Sequence, residues 1–223
     1  MGFLTIDTMN KNSIDFIREY CDFSNPDEVW MLKGVSRHKD NPVGNPYGDM
    51  HKFMRRLVMA SPDDIEQCYK DIRSMGNQVG TSYRMYVSLN SRNVIKGLFQ
   101  FQTKLLEISY GVAKGLEDFK KQTTKLASIW KTELEQKACR GTKRVLLDVD
   151  NGDKLFLDKV ITKLYEMNAK IYTIRPTVSG YAVVIEACDM RPFYDVFGSE
   201  KNNDFINLQR DSMVFVEKWD GNH

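Results

Sequence analysis

Asp148 and Asp150 stand two residues apart at the end of the apolar run Arg144–Asp150, RVLLDVD. Side chains along a β-strand alternate between its two faces, so residues i and i+2 share a face. Leu147 and Val149 can then pack against helices while both carboxylates share the opposite side. Two acids held this close repel, and their neutral forms are favoured unless a cation sits between them. Mg²⁺ or Mn²⁺ fits, because hard divalent ions take carboxylate oxygens. The chemistry such a pair serves is phosphoryl or nucleotidyl transfer, in which metal ions activate the attacking oxygen and steady the leaving pyrophosphate. A third acid, Asp211, lies in Leu208-Gln209-Arg210-Asp211. If residues 207–219 form a strand antiparallel to 144–150, its start meets the end of that strand, and Asp148, Asp150 and Asp211 converge at one edge. Strand ends are also acidic simply because they meet water, so that second reading stays open. An EF-hand is excluded: in Asp148-Val-Asp-Asn-Gly-Asp153 the glycine stands before Asp153, no Glu occupies the twelfth position, and a strand precedes the run.

The elements that position these acids follow from hydrophobic period and turn residues. The last third reads strand 144–150, helix 154–168, strands 169–177 and 181–188 joined at Val178–Gly180, helix 189–197 and strand 207–219. That β-α-β-β-α-β order is ferredoxin-like, or RRM-like. The first third reads α-β-α-β. Ser13 caps a helix with Ile14, Ile17, Tyr20 and Cys21 on one face, and 29–35 is a strand. The loop 41–51 holds two prolines and two glycines. Ser61-Pro62-Asp63-Asp64 starts a helix ending near Met75, before Gly76, and 83–89 is a strand. Between them, 93–137 reads as two long helices bent at Gly111 and Gly115. Leu98, Phe101, Leu105 and Ile108 face inward, continued by Leu116, Phe119, Leu126, Ile129 and Trp130. The expected fold is α+β: an N-terminal αβ-repeat lobe (1–91), a basic helical segment (92–143) and a C-terminal RRM-like lobe (144–223), sharing one compact domain.

Composition narrows the classes. The 223 residues are 42% hydrophobic and 28% charged, enough for a core without disulfide or metal staples. No apolar run is long enough to span a membrane, and the start MGFLTIDTMNKN lacks a signal-peptide layout. Cys21, Cys68, Cys139 and Cys188 are scattered without a CxxC pair, which reads as reduced thiols in a cytoplasmic protein. The three histidines, His38, His51 and His223, are equally dispersed. Net charge is +2 but uneven: −1 over 1–91, +7 over 92–144 and −4 over 145–223. A basic middle segment beside an acidic end suits a phosphate-holding surface next to a carboxylate site. A solvated helix surface accounts for the same charge equally well.

An apolar strand ending in Asp148-Val-Asp150, a Ser179-Gly180-Tyr181 strand turn and an apolar-flanked Asp211 together resemble the archaeo-eukaryotic primase (primase-polymerase) superfamily. Its members join an αβ-repeat unit to an RRM-like unit with the active site between them, and the coarse layout of almost the whole chain agrees. The resemblance implies that Asp148, Asp150 and Asp211 are the catalytic metal ligands for Mg²⁺ or Mn²⁺. It places Ser179, Gly180 and Tyr181 in the nucleotide-binding motif. The family's phosphate-contacting histidine is replaced by Ala182. Arg37 and Lys39, at the end of a first-lobe strand, are candidates to hold the phosphate instead, with a solvated charged loop as the alternative. The implied activity is metal-dependent nucleotidyl transfer on a single-stranded template with nucleoside triphosphates, the strand lying along the basic helices. Replication proteins would be partners, and the setting would be a cytoplasmic replication factor of viral or plasmid type.

Two other classes compete. One is an inactive RRM-like module binding nucleic acid or nucleotides, with Tyr172, Tyr181 and Phe215 as available aromatics. The other is a haloacid-dehalogenase-type phosphatase, which also opens on an apolar strand with DxD. It fares worse, because Gly152 stands where that family has Thr or Val and only 73 residues follow Asp150. Local signatures for serine or cysteine nucleophiles and for GxxxxGK phosphate loops are absent.

Overall fold

A computed structural model describes residues 12–37, 40, 54–80, 82–198 and 205–220, and the fold they form is α+β. In chain order the elements begin with α1 (Ser13–Tyr20), β1 (Glu28–Val35), β2 (Met54–Met59), α2 (Asp64–Val79), β3 (Tyr83–Ser88) and β4 (Arg92–Asn93). Three helices follow, α3 (Val94–Ala113), α4 (Phe119–Thr123) and α5 (Leu126–Leu134), then a 3₁₀ turn at Lys137–Cys139. The chain closes with β5 (Arg144–Val149), α6 (Lys154–Glu166), β6 (Ile171–Pro176), β7 (Tyr181–Glu186), α7 (Arg191–Phe197), β8 (Ile206–Gln209) and β9 (Met213–Trp219). Two antiparallel sheets result. The first runs β2-β1-β3-β9 with β4 beside β1, and the second runs β6-β7-β5-β8.

The first sheet departs from expectation at two strands. Residues 54–59 form β2, which the sequence pattern does not reveal because Arg55 and Arg56 interrupt its apolar run; it pairs along β1 from Trp30↔Met59 to Val35↔Met54. The single closing strand expected over 207–219 is instead split. β8 ends at Gln209 on the second sheet, and Arg210–Ser212 carries the chain across to β9, which pairs with β3 in the first. The C-terminal segment thereby ties the two sheets together.

α1 is capped by Asn12, whose side chain accepts from the Ile14 N–H, and not by Ser13. The Ser13 hydroxyl donates to Glu217 on β9. α2 runs one turn past Gly76 and closes at Gly80, where φ is +68°. Gly76 serves close packing: a Cβ there would sit 2.2 Å from the Tyr83 ring. The segment 93–137 holds three helices instead of two, and little of it is core. Leu98, Leu116 and Phe119 are exposed, as are Phe99 and Leu106, while Phe101 meets Trp130 edge-on at 5.6 Å. α5 is fastened to β2 by Arg56, which donates to Glu135 at 2.8 Å and to Thr132 and Ser128. No described helix is long and apolar enough to cross a membrane.

One apolar cluster joins α1, α2 and the first sheet and reaches Leu146, Ala182 and Val184 of the second; another fills the space between the second sheet and α6 and α7. Between the sheets lies Arg144, 6% exposed, with Tyr20, Trp30 and Tyr172 rings 4.3–4.9 Å from its guanidinium and a hydrogen bond to the Tyr20 carbonyl. Arg175 repeats the arrangement over Phe16 at 4.1 Å and donates to the Val216 carbonyl at 2.6 Å. Burial is the main cause holding the Arg175 guanidinium below its ordinary pKa. Desolvated cations over aromatic faces gain more than exposed ones, about 2 kcal/mol or more each. These arginines fix how the sheets meet, and so fix the shape of the space left open between them.

Candidate active site in the cleft between the sheets

β5 places its residues as alternation requires. Leu147 and Val149 pack with Leu157, Val160 and Leu164 of α6, whereas Asp148 and Asp150 line a cleft of about 430 Å³. Asp148 is partly buried and lies between Ala182 of β7 and Asn207 of β8. Asp150 is exposed. Its amide N–H donates to the Phe205 carbonyl at 2.8 Å, and its Oδ1 accepts from the Ser179 hydroxyl at 2.8 Å.

The Ser179-Gly180 turn is pressed onto this strand end. Thr177 and Gly180 close the turn through Thr177 N–H to the Gly180 carbonyl at 2.7 Å and Gly180 N–H to the Thr177 hydroxyl at 3.1 Å. A Cβ on Gly180 would stand 1.9 Å from the Val149 carbonyl oxygen, so only glycine permits this approach. Tyr181 is paired with Val149 and packs on the helical side of the sheet, so it does not reach the cleft. Ala182, opposite Asp148, does line it.

The opposite wall comes from the first sheet. Lys33, Val35 and Arg37 follow one another at every second position of β1 and its end, with Arg84 and Tyr86 of β3 beside them through the pairs Lys33↔Tyr86 and Val35↔Arg84. Arg37 donates to the Tyr86 hydroxyl at 3.4 Å, and Tyr86 meets Phe215 edge-on at 6.0 Å. Arg84 is bound to Asp40 by two hydrogen bonds of 2.6 and 2.7 Å, both side chains being buried. Burial raises the Asp40 carboxyl, but hydrogen bonds and charge from Arg84 outweigh it and hold the group below its ordinary value. Lys39 lies outside the described residues, as do the three histidines.

Asp211 is not part of this cleft. Its neighbours Gln209 and Ser212 line the opening, but the Asp211 carboxylate turns away and takes Arg92 Nη2 at 2.7 Å and Nη1 at 3.3 Å. The two side chains are 4% and 6% exposed. Arg92 also donates to the Glu135 and Gln136 carbonyls, so the pair sits in a hydrogen-bonded frame. The expected convergence of three acids fails because 210–212 is a crossing between sheets, not the start of a strand. Accordingly, no group of three or more His, Cys, Asp or Glu able to hold a metal exists among the described residues.

Lys33, Arg84 and Tyr86 were not singled out from sequence, whereas Phe215, one of the aromatics offered for the binding-module reading, does line the cleft. The available signal is a lone cation inside an apolar strand, Lys33 in VWMLKGV and Arg84 in YRMYVSL. Burying such a charge without a counter-charge is costly, so its presence marks an opening or a partner. Taken together, the cleft sets two carboxylates across from three cations, with an aromatic pair beside them. Comparison with protein-family models, with curated proteins and with solved structures finds no match.

Proposed function

We propose that the chain is a metal-dependent nucleotidyltransferase of primase-polymerase type, acting in the cytoplasm on a single-stranded template. The observation that carries this reading is the facing of Asp148 and Asp150 by Lys33 and Arg37 across one cleft. Carboxylates alone would favour a bare cation, and cations alone a bare phosphate. Both together suit a metal–nucleotide complex, whose phosphates need positive charge and whose metal needs oxygens. Mg²⁺ commonly takes only one or two protein carboxylates and completes its shell with water and substrate phosphates. Two acids on one strand face therefore fit it. When bound, such an ion polarises the phosphoryl oxygens.

The side chains have separable roles in this reading. Lys33 and Arg37 hold triphosphate oxygens, supplying the charge that the histidine position, Ala182, cannot. Tyr86 and Phe215 offer faces for a base or sugar. Ser179 keeps Asp150 oriented. A primer or initiating nucleotide's oxygen forms a bond to the α-phosphorus as the bond to pyrophosphate breaks, and the oxygen's proton passes to solvent. The strand order β6-β7-β5-β8 and the β-α-β-β-α-β sequence of elements support an RRM-like second unit. The four cysteines are free, in keeping with a reducing compartment.

The test is incorporation of labelled nucleoside triphosphates on a single-stranded template with Mn²⁺ or Mg²⁺, comparing the protein with Asp148→Asn/Asp150→Asn. Product that needs the metal and vanishes in the variant is the expected result. The withdrawal of Asp211 into its buried pair favours a second reading, a catalytically inactive binding module. That reading predicts no product from either protein and strand binding that survives chelation.

A further inference from the structure

The excess positive charge of 92–144 is not spread along α3–α5. Arg92 and Arg144 are buried in the pair and the aromatic cage already described. Four others, Lys96, Lys137, Arg140 and Lys143, meet Arg210 around a second cavity of about 570 Å³ at the opposite end of β5 from the carboxylates. Lys143 and Asp150 are seven strand positions apart, about 20 Å along the chain. The two cavities share no lining residue. Arg140 is held by the Arg210 and Lys137 carbonyls, and Arg191 at the rim is engaged by Asp189. By contrast, no carboxylate among the described residues pairs with Lys96, Lys137, Lys143 or Arg210, and the four approach from different segments: α3, the 3₁₀ turn, the residue before β5 and the residue after β8. Cations gathered without counter-charges repel one another, and an anion of matching extent relieves that repulsion. The floor is apolar: Val145, Met190 and Leu208 are buried and Tyr194 is half-buried.

We infer that this cavity binds the sugar–phosphate backbone of a nucleic-acid strand. The basic rim takes phosphate oxygens, and the apolar floor takes sugar and base faces, the combination single-strand-binding grooves use. The site stands on its own geometry and does not need the carboxylate cleft to be catalytic. Its shared chemistry with free phosphates calls for an experiment with separate arms.

Binding of a fluorescein-labelled oligothymidylate of about 20 nucleotides, longer than a 4–16-nucleotide site, is followed by anisotropy over a salt series. The intact chain is compared with Lys143→Gln/Arg210→Gln, whose residues are exposed and whose fold is checked by circular dichroism. The expected result is at least a tenfold loss of affinity, with the slope of log K against log[salt] reduced by about 1.4, 0.7 for each lost single-strand contact. Asp148→Asn/Asp150→Asn is expected to bind the strand as the intact chain does, so loss of polymerisation and loss of this site are told apart. Unchanged affinity and slope in Lys143→Gln/Arg210→Gln overturn the inference. So does loss of inorganic phosphate or ADP binding in calorimetry with strand binding intact, which would mark a small-anion site.

Discussion

Asp150 and Asp211 are the same side chain in two electrostatic settings. Asp150 is exposed at a strand end and accepts one hydrogen bond, from a serine hydroxyl. Asp211 is 6% exposed and has both oxygens on one guanidinium. The first carboxylate keeps lone pairs for a cation or water. The second has spent its own on Arg92 and is a structural tie between the crossing at 210–212 and the start of the helical segment. A carboxylate's spacing in the chain thus says less about its role than the nearest cation does. The arginines differ in burial: Arg37 is half-buried at the cleft wall, whereas Arg92, Arg144 and Arg175 are buried.

The comparison breaks most visibly at Arg92. Arg92→Ala strands Asp211 as a buried unpaired charge, and removing one partner of such a pair costs about 3–5 kcal/mol. Urea unfolding at pH 7 should record this loss, and a loss below about 1 kcal/mol would mean that Asp211 is solvated after all. The open cleft should behave in the opposite sense and gain from a ligand. Mg²⁺ or Mn²⁺ with a nucleoside triphosphate at a hundredfold excess over Kd stabilises the fold by about 2.7 kcal/mol, seen as a raised Tm that Asp148→Asn/Asp150→Asn does not show. Gly180→Ala forces the turn off the Val149 carbonyl, an overpacking that costs about 1–3 kcal/mol. It should also blunt the metal response, since Asp150 follows Val149.

Smaller effects sharpen the picture. The Asp40 carboxyl is held below its ordinary 3.8 by Arg84, against the upward push of burial. A depressed folded-state pKa adds stability that is present above the unfolded value and lost as pH falls through the folded one. Acid melting curves should therefore show a component below about pH 4 that Asp40→Asn removes. The smallest effect belongs to Asp150→Asn, which can still accept from Ser179. Without metal, its Tm should match that of the unsubstituted chain.

Much of the second unit was legible. The runs 144–149, 171–176 and 181–186 are apolar and bounded by turn residues, and the split of Leu147 and Val149 from Asp148 and Asp150 follows from alternation alone. The turn at Val178–Gly180 was legible too, but that it sets Ser179 on Asp150 follows only from the register of β7 on β5. Asp211 was not, because a polar triplet inside an apparent strand looks like any edge strand until the first sheet is known to recruit β9. β2 was hidden by Arg55-Arg56, whose stems lie along a sheet that other strands complete. The cations of the cleft needed the register of β1 on β3, a long-range pairing that no local pattern encodes.

The central claim is that Asp148 and Asp150 hold a divalent cation while Asp211 is structural. A Mn²⁺ titration followed by electron paramagnetic resonance tests it most directly, because only free aqueous Mn²⁺ gives the strong six-line signal. The account predicts that the intact chain depletes that signal and that Asp148→Asn/Asp150→Asn, folded by circular dichroism, does not. Equal depletion by both proteins would contradict it.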